Sequence, residues 1–473
     1  MLLQRQKHFK SALNRKDLLA DMKKHRVFIL AYLAIVAVTI SVYIYYLVRE
    51  NINTDFLMLY FGAKSFLKGH SIYASVPWKE LHITKILSNQ ITYIQEPIYQ
   101  LGRDYSFNLN PPSVELFFLP FAFFSYPQAI LIWSILIFIA GTWALAIIYR
   151  VYFKAQANLW DFLVLLGIFW AFFPAYSNFI LLQLGTFIFL GVIGVWYWSR
   201  RGDDVKAGIL LGILLSAKYF LGLLAVFYLL QKRWRLIFFS LLSFTGANIL
   251  AYSVFGKAAY IQHLQILKNI VWYSNIWSAS FYSYFGKFDA NIIHNVYVMG
   301  LWGKIAYFIC CTIIMVLQIY LCRIPVKSPR EFDFNFSYVL IASTLICPLG
   351  WVYYLNFFIL PIFWILETIS QEKNYFSFYF MLAFASMLGM LSFPTTIMAF
   401  ANGSWKAVFL MYSPYFYGTL ALLVLIFYVQ KKWPVISMQG INTKELLPWT
   451  TLAYLMVTPS LVYLFYTTFF KLP

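Results

Sequence analysis

Two ionisable residues stand where an apolar chain has no routine use for them. Asp55 lies just past the first long apolar run, inside NTDFLMLYFGAKSFLKGHSIY, Asn53 to Tyr73. Lys218 interrupts VKAGILLGILLSAKYFLGLLAVFYLLQ, residues 205–231. A carboxylate at an interface can take the proton of an attacking hydroxyl. A fixed ammonium can meet an oxyanion as that anion gains charge. Each also has a plainer reading. Thr54 or Asp55 suits a helix N-cap, and a lysine near a span end snorkels to water.

Other polar residues are weaker candidates of the same kinds. Arg103 and Lys287 could add positive charge, and each also reads as a solvated surface charge. Gln183 could bond a ligand oxygen or equally a neighbouring helix. Asn110 precedes Pro111-Pro112, and Asn275 lies in NIVWYSNIWSASFYSYFGKFDAN, a stretch polar enough for sugar hydroxyls and aromatic enough to stack on a sugar face. Trp351 and Tyr353 sit together near a span end, where interfacial aromatics are common. His70, His263 and His294 lack metal-ligand spacing, and no DxD pair occurs, so no metal is expected. Cys310, Cys311, Cys322 and Cys347 lie in or beside apolar runs without CxxC spacing and read as core residues.

The elements that must hold these groups are membrane helices. The 473 residues are 62% hydrophobic and 11% charged, against about 25% charged in a soluble domain. The chain therefore reads as an all-α polytopic membrane protein with about 11–13 spans. The expected spans are 27–48, 126–149, 159–174, 177–198, 205–217, 218–231, 236–255, 300–322, 334–349, 351–368, 375–392, 409–430 and 449–470. Residues 1–26 hold eight Lys or Arg and form a basic cytoplasmic N-terminus. Residues 27–473 form one transmembrane domain, with outer loops at 49–125 and 256–299. The formal charge of +19 gathers in short loops, which fits topology and anionic-lipid contact and argues against nucleic acid. Aromatics at 21% suggest greasy grooves or ring packing between helices.

Within the first outer loop, apolar residues at 56, 57, 59, 60, 63, 66 and 67 predict an interfacial helix with Lys64 and Lys68 toward water. Tyr105 to Pro127, YSFNLNPPSVELFFLPFAFFSYP, predicts a short helix started by Pro111-Pro112 and kinked or ended by Pro120. The 205–231 stretch predicts two half-spans meeting at Lys218. A single span would strand Lys218 in the bilayer at a cost of about 2.5–3.5 kcal/mol. It would also put Lys232, Arg233 and Arg235 on the wrong side. Half-spans of ~18 Å imply a water-accessible cavity with Lys218 on its floor or wall.

Four blocks taken together resemble a known family. They are TDFLMLYFGAKSFLKGHSIY, FNLNPPSVELFFLPFAF, NFILLQLGTFIFLGVIGVWYWSRRGDDVKAGILLGILLSAKYFLGLLAVFYLLQKRW and CPLGWVYYLNFFILP. In order and spacing they resemble the bacterial polyprenol-phosphate-mannose-dependent mannosyltransferases, glycosyltransferase family 87 of the GT-C type. The resemblance implies an inner-membrane enzyme with its site on the outer face. It would move a hexose, mannose in this family, from a polyprenyl phosphate to a glycan or glycolipid acceptor, with inversion; no cofactor is expected. It assigns the catalytic base to Asp55. It places Lys218 and the Tyr353 position in donor-phosphate binding and Gln183 and Trp351 among the sugar- or acceptor-binding positions; by residue type Arg103 joins the donor-phosphate candidates, and Asn110, Asn275 and Lys287 join the sugar or acceptor candidates. The chain departs from the family pattern at Tyr353 and Tyr354, where a His is common. The alternative reading is a transporter or lipid flippase, or a non-catalytic assembly partner; no paired broken helices in matching halves support the transporter.

Overall fold

A computed structural model describes residues 55–73, 108–153, 158–269, 278–286, 290–293, 296–369 and 414–432, with helical positions among 30–45. In chain order the helices are α1 Asp55–Leu67, α2 Pro112–Phe118, α3 Tyr126–Phe153, α4 Leu159–Ala171, α5 Phe173–Ile180, α6 Gly185–Arg200 and α7 Asp204–Ala217. They continue with α8 Gly222–Leu230, α9 Trp234–Asn269, α10 Phe281–Phe285, α11 Leu301–Cys322, α12 Pro329–Ile346, α13 Ile359–Ile369 and α14 Pro414–Lys432. One antiparallel hairpin, β1 Ala290–Ile293 and β2 Val296–Met299, precedes α11.

Three of these helices are long and apolar enough to cross a membrane: Tyr126–Phe153, Trp234–Leu267 and Leu301–Cys322. The pair Leu159–Trp170 and Phe173–Ile180, bent by 64°, adds a fourth if it is one span. Pro174 sits in the first turn of α5, where a new helix starts readily. Leu182 then takes φ 52°, which separates α5 from α6. The expected spans 159–174 and 177–198 are thus bent and broken pieces. The expected 351–368 span is likewise a 3-10 turn, Val352–Phe358, followed by α13. Half of the expected span 27–48 lies outside the described residues, and its described positions are helical; 375–392 and 449–470 lie wholly outside them.

One end of the bundle gathers basic groups. Arg233 donates to the Ser199 carbonyl at 2.8 Å and pairs with Asp204, joining the ends of α6 and α8 to the start of α7. Gln231 donates to the carbonyls of Cys322 and Ile324, tying in the end of α11. Asp333, fully buried on α12, accepts from Arg200 Nε at 3.0 Å, Trp196 Nε1 at 2.7 Å and Tyr152 at 3.3 Å. Helix caps work at the same end: Asp203 accepts from the Lys206 amide and Ser328 from the Glu331 amide.

From that end α7 rises to Lys218 and α8 returns. Lys218 has φ −144°, ψ 100°, so the α-helix stops there, and a 3-10 turn, Tyr219–Leu221, leads into α8. The two-half-span geometry read from the charges is what the backbone adopts. A third segment, α9, runs beside α7. Gly208 and Gly212, one turn apart on α7, let the α9 backbone at Leu236 and Ser240 approach closely; a Cβ at either would collide with a carbonyl oxygen. Ser243 donates to the Ile209 carbonyl at 2.8 Å across this contact.

At Gly256, φ 74°, α9 breaks, and residues 257–269 form a second helical piece. The expected outer loop 256–299 therefore begins with helix. That piece packs Ala259 and Ile266 on Ile72 and Tyr73, just after α1. The ring-rich composition is used between elements: Phe56 packs on Phe118, Phe121, Tyr126 and Trp133, and Trp133 stacks on Phe187 at 4.7 Å.

Candidate active site

The end opposite the basic groups carries the polar side chains of interest. Asn108, Leu109 and Asn110 lead into Pro111 and Pro112, whose restricted φ starts α2. The Asn110 amide nitrogen donates to Asn108 Oδ1 at 3.1 Å, an Asx turn two residues long. The Asn110 side-chain nitrogen donates to the same oxygen at 3.1 Å. Asn110 Oδ1 then accepts from Lys218 Nζ at 2.8 Å. Ser113 donates to the Ser216 carbonyl at 2.6 Å, so α2 is tied to α7 two residues before the lysine. Tyr73 donates to the Asn110 carbonyl at 2.7 Å and stacks on His263 from the second piece of α9.

Sequence reasoning missed two residues here. Glu115, on α2, is fully buried. Its Oε1 accepts from Asn108 Nδ2, and its Oε2 has no hydrogen-bond partner among the described residues. A lone acid in an apolar seven-residue helix was visible, but nothing in the string showed Asn108 folding back onto it. This helix is too short to span a membrane. Burial pushes the Glu115 carboxyl up to about 8, with the Asn108 bond pulling the other way. His263 is 3% exposed, and both ring nitrogens lack hydrogen-bond partners among the described residues. Its placement follows from the break at Gly256, and a glycine in an apolar run was the available signal.

A second group lies across α2. Asn178 donates to the Pro174 and Tyr353 carbonyls, both at 2.8 Å, joining α5 to the 3-10 turn that follows Trp351. The Tyr353 ring stacks on Trp351 at 5.7 Å. Gln183 is half-buried in the turn between α5 and α6, its amide nitrogen donating to the Asn178 carbonyl at 2.8 Å. Ser278 to Ser280, just before α10, bridge onto Trp351 and Gly350 through backbone bonds. Phe117 of α2 packs on Phe187 and Trp133, and Trp133 donates to the Leu182 carbonyl at 2.9 Å. One face of α2 thus looks to the Gln183 turn, while its first residues meet Lys218.

Asp55 is the first residue of α1, and its side chain lies outside the described residues. Its neighbour Phe56 packs on Trp133, so the leading end of α1 sits beside the turn that carries Gln183. Lys64, expected toward water, is half-buried instead and donates to the Ala122 carbonyl at 3.0 Å; its ammonium caps the 3-10 turn Leu119–Phe123. Arg103, Asn275 and Lys287 lie outside the described residues, as does His294. His70 is exposed. Among the described residues no three His, Cys, Asp or Glu side chains converge as a metal site. The four cysteines are unpaired.

The profile of a known family, Glycosyltransferase family 87, matches residues 108–348, just over half of the chain. The matched region contains Asn108, Asn110, Glu115, Gln183, Lys218 and His263. It begins after Asp55 and stops before Trp351. No curated protein and no solved structure matches the chain.

Proposed function

Because the chain belongs to glycosyltransferase family 87, we propose that it moves a hexose, mannose in our reading, from a polyprenyl phosphate to a glycan or lipid acceptor. The acceptor hydroxyl attacks the anomeric carbon, the bond from that carbon to the phosphate oxygen breaks, and configuration inverts. Asp55 takes the hydroxyl proton. A single displacement forms no covalent intermediate and needs no second carboxylate. The leaving polyprenyl phosphate gains charge as its bond breaks, and Lys218 meets that charge. The lysine immediately precedes a 3-10 turn and α8, so the leading N–H groups of those turns favour the same anion. Arg103 adds to the positive charge on the donor side, and Tyr353 lines the donor. Gln183, Asn110, Trp351, Asn275 and Lys287 line the sugar and acceptor.

The observation that carries this reading is the helix break at Lys218. A cation occupies the meeting point of two half-spans, tied to Asn110 at 2.8 Å, at the end of the bundle away from Arg200, Arg233 and Arg323. Positive residues favour the cytoplasmic side. In our reading the lysine end therefore faces outward, where a lipid-linked donor is presented.

The test is a panel of lipid-phosphate sugars incubated with purified protein. Asp55→Asn is expected to insert normally and lose transfer by about 10²–10⁴-fold, the range for a general base. Wild-type rates in that variant would overturn the assignment. Uptake of sugar into sealed vesicles without product would point to a transporter instead.

A further inference from the structure

The bonds around Asn108 and Asn110 all run in one sense. Lys218 Nζ donates to Asn110 Oδ1, Asn110 Nδ2 donates to Asn108 Oδ1, and Asn108 Nδ2 donates to Glu115 Oε1. A primary amide offers an oxygen on one side and an NH₂ on the other. Two amides in series can therefore lie in only two senses. The sense present requires an acceptor at one end and a donor at the other, which Glu115 and Lys218 supply. The reversed sense would turn the Asn110 NH₂ toward the ammonium, donor against donor. The backbone supports the same sense, since the Asn110 N–H also donates to Asn108 Oδ1 and Tyr73 pins the Asn110 carbonyl at 2.7 Å. Room for the carboxyl comes from Gly62 on α1. A Cβ there would lie 2.8 Å from Glu115 Oε2 and 2.9 Å from the Ile72 carbonyl oxygen.

We propose that Glu115 is a positioning residue for Lys218, acting through Asn108 and Asn110 to hold the ammonium where it meets the donor phosphate. The inference rests on the reading of Lys218 as the phosphate-binding cation. Glu115 itself is fully buried. Its part is to terminate the relay with an acceptor. An apolar residue at 115 removes the acceptor to which Asn108 Nδ2 donates, and with it the end that fixes the sense of the two amides.

The experiment measures binding of polyprenyl monophosphate to the full chain in nanodiscs. Lys218→Gln should weaken binding most. Glu115→Leu should weaken it about tenfold, and in an Asn110→Ala background it should add almost nothing, because linked residues are non-additive. Glu115→Gln restores an acceptor for Asn108 and should recover most of the loss. Asn108→Leu cuts the same relay outside the helix and should match Glu115→Leu, which keeps the test open if the latter does not fold. If Lys218→Gln binds as tightly as wild type, the reading of Lys218 fails and the relay with it. If Lys218→Gln is weak while folded Glu115→Leu and Asn108→Leu bind normally, the relay alone fails. Additive losses with Asn110→Ala, or no recovery in Glu115→Gln, would reduce Glu115 to a packing role and overturn the proposal.

Discussion

Asp333 and Glu115 are both sealed from water, at opposite ends of the bundle. Asp333 meets a guanidinium at 3.0 Å, an indole N–H at 2.7 Å and a phenol, all within one layer of neighbours. Glu115 meets a single primary amide through one oxygen. A buried ion pair with its lone pairs satisfied holds elements in register, and here it fixes α12 against α3 and α6. A buried carboxyl with so little compensation is costly as an anion. The nearest cation on its hydrogen-bond path, Lys218, is reached only through two amides. The difference separates a latch from a piece of working polarity, and the two can be broken separately.

The largest effect should come from the latch. Asp333→Asn removes the carboxylate charge that pairs with the Arg200 guanidinium, itself 17% exposed. Loss of one partner of a buried pair costs about 3–5 kcal/mol. Because Arg200 keeps some contact with water, the lower end applies. Thermal unfolding in detergent should show the loss, while sugar transfer per folded molecule should stay near wild type. A variant as stable as wild type but inactive would reverse the roles assigned to the two ends.

Crowding the other carboxyl should cost less and act differently. Gly62→Ala brings a methyl against Glu115 Oε2 and the Ile72 carbonyl. Overpacking of this kind costs about 1–3 kcal/mol. It also pushes the end of the relay, so donor KM should rise out of proportion to the change in melting temperature. A stability loss with donor KM unchanged would make the contact at Gly62 one of packing alone.

How far these ends could be read from the amino-acid string depends on the range of the forces involved. The break at Lys218 was legible because a lone cation inside an apolar run, followed by Lys232 and Arg233, admits few topologies. The start of α2 was legible because Pro111-Pro112 acts on its own neighbours. Glu115 was not, since its meaning comes from Asn108 folding back through an Asx turn and from Gly62 on another helix. His263 was not, because one glycine at position 256 redirects α9 toward Tyr73. Lys64 was misread for a related reason: a helical wheel assigns its face, but the Ala122 carbonyl that binds it is 58 residues away. Arg200 and Asp333 lie on helices whose contact no local pattern encodes.

The smallest expected effect sharpens the comparison through pH. The Glu115 carboxyl moves from an ordinary 4.5 to about 8 on folding, mainly through burial. Its fold-side neighbours are Asn108, Tyr73 and Gly62, with Lys218 joined through Asn110 and His263 stacked behind Tyr73. Between those two values the folded chain holds a proton that the unfolded chain has released. Stability from this group therefore falls as pH rises from about 4.5 to about 8, then levels off. The limiting slope is about 1.4 kcal/mol per pH unit. Glu115→Gln cannot titrate, so its melting temperature should fall less than that of wild type across this window, with the two curves closest at the acid end once aligned there. Parallel curves would mean that Glu115 ionises in the folded protein as it does in the unfolded chain. Its charge would then be compensated in place, and the contrast between the two carboxyls would fail.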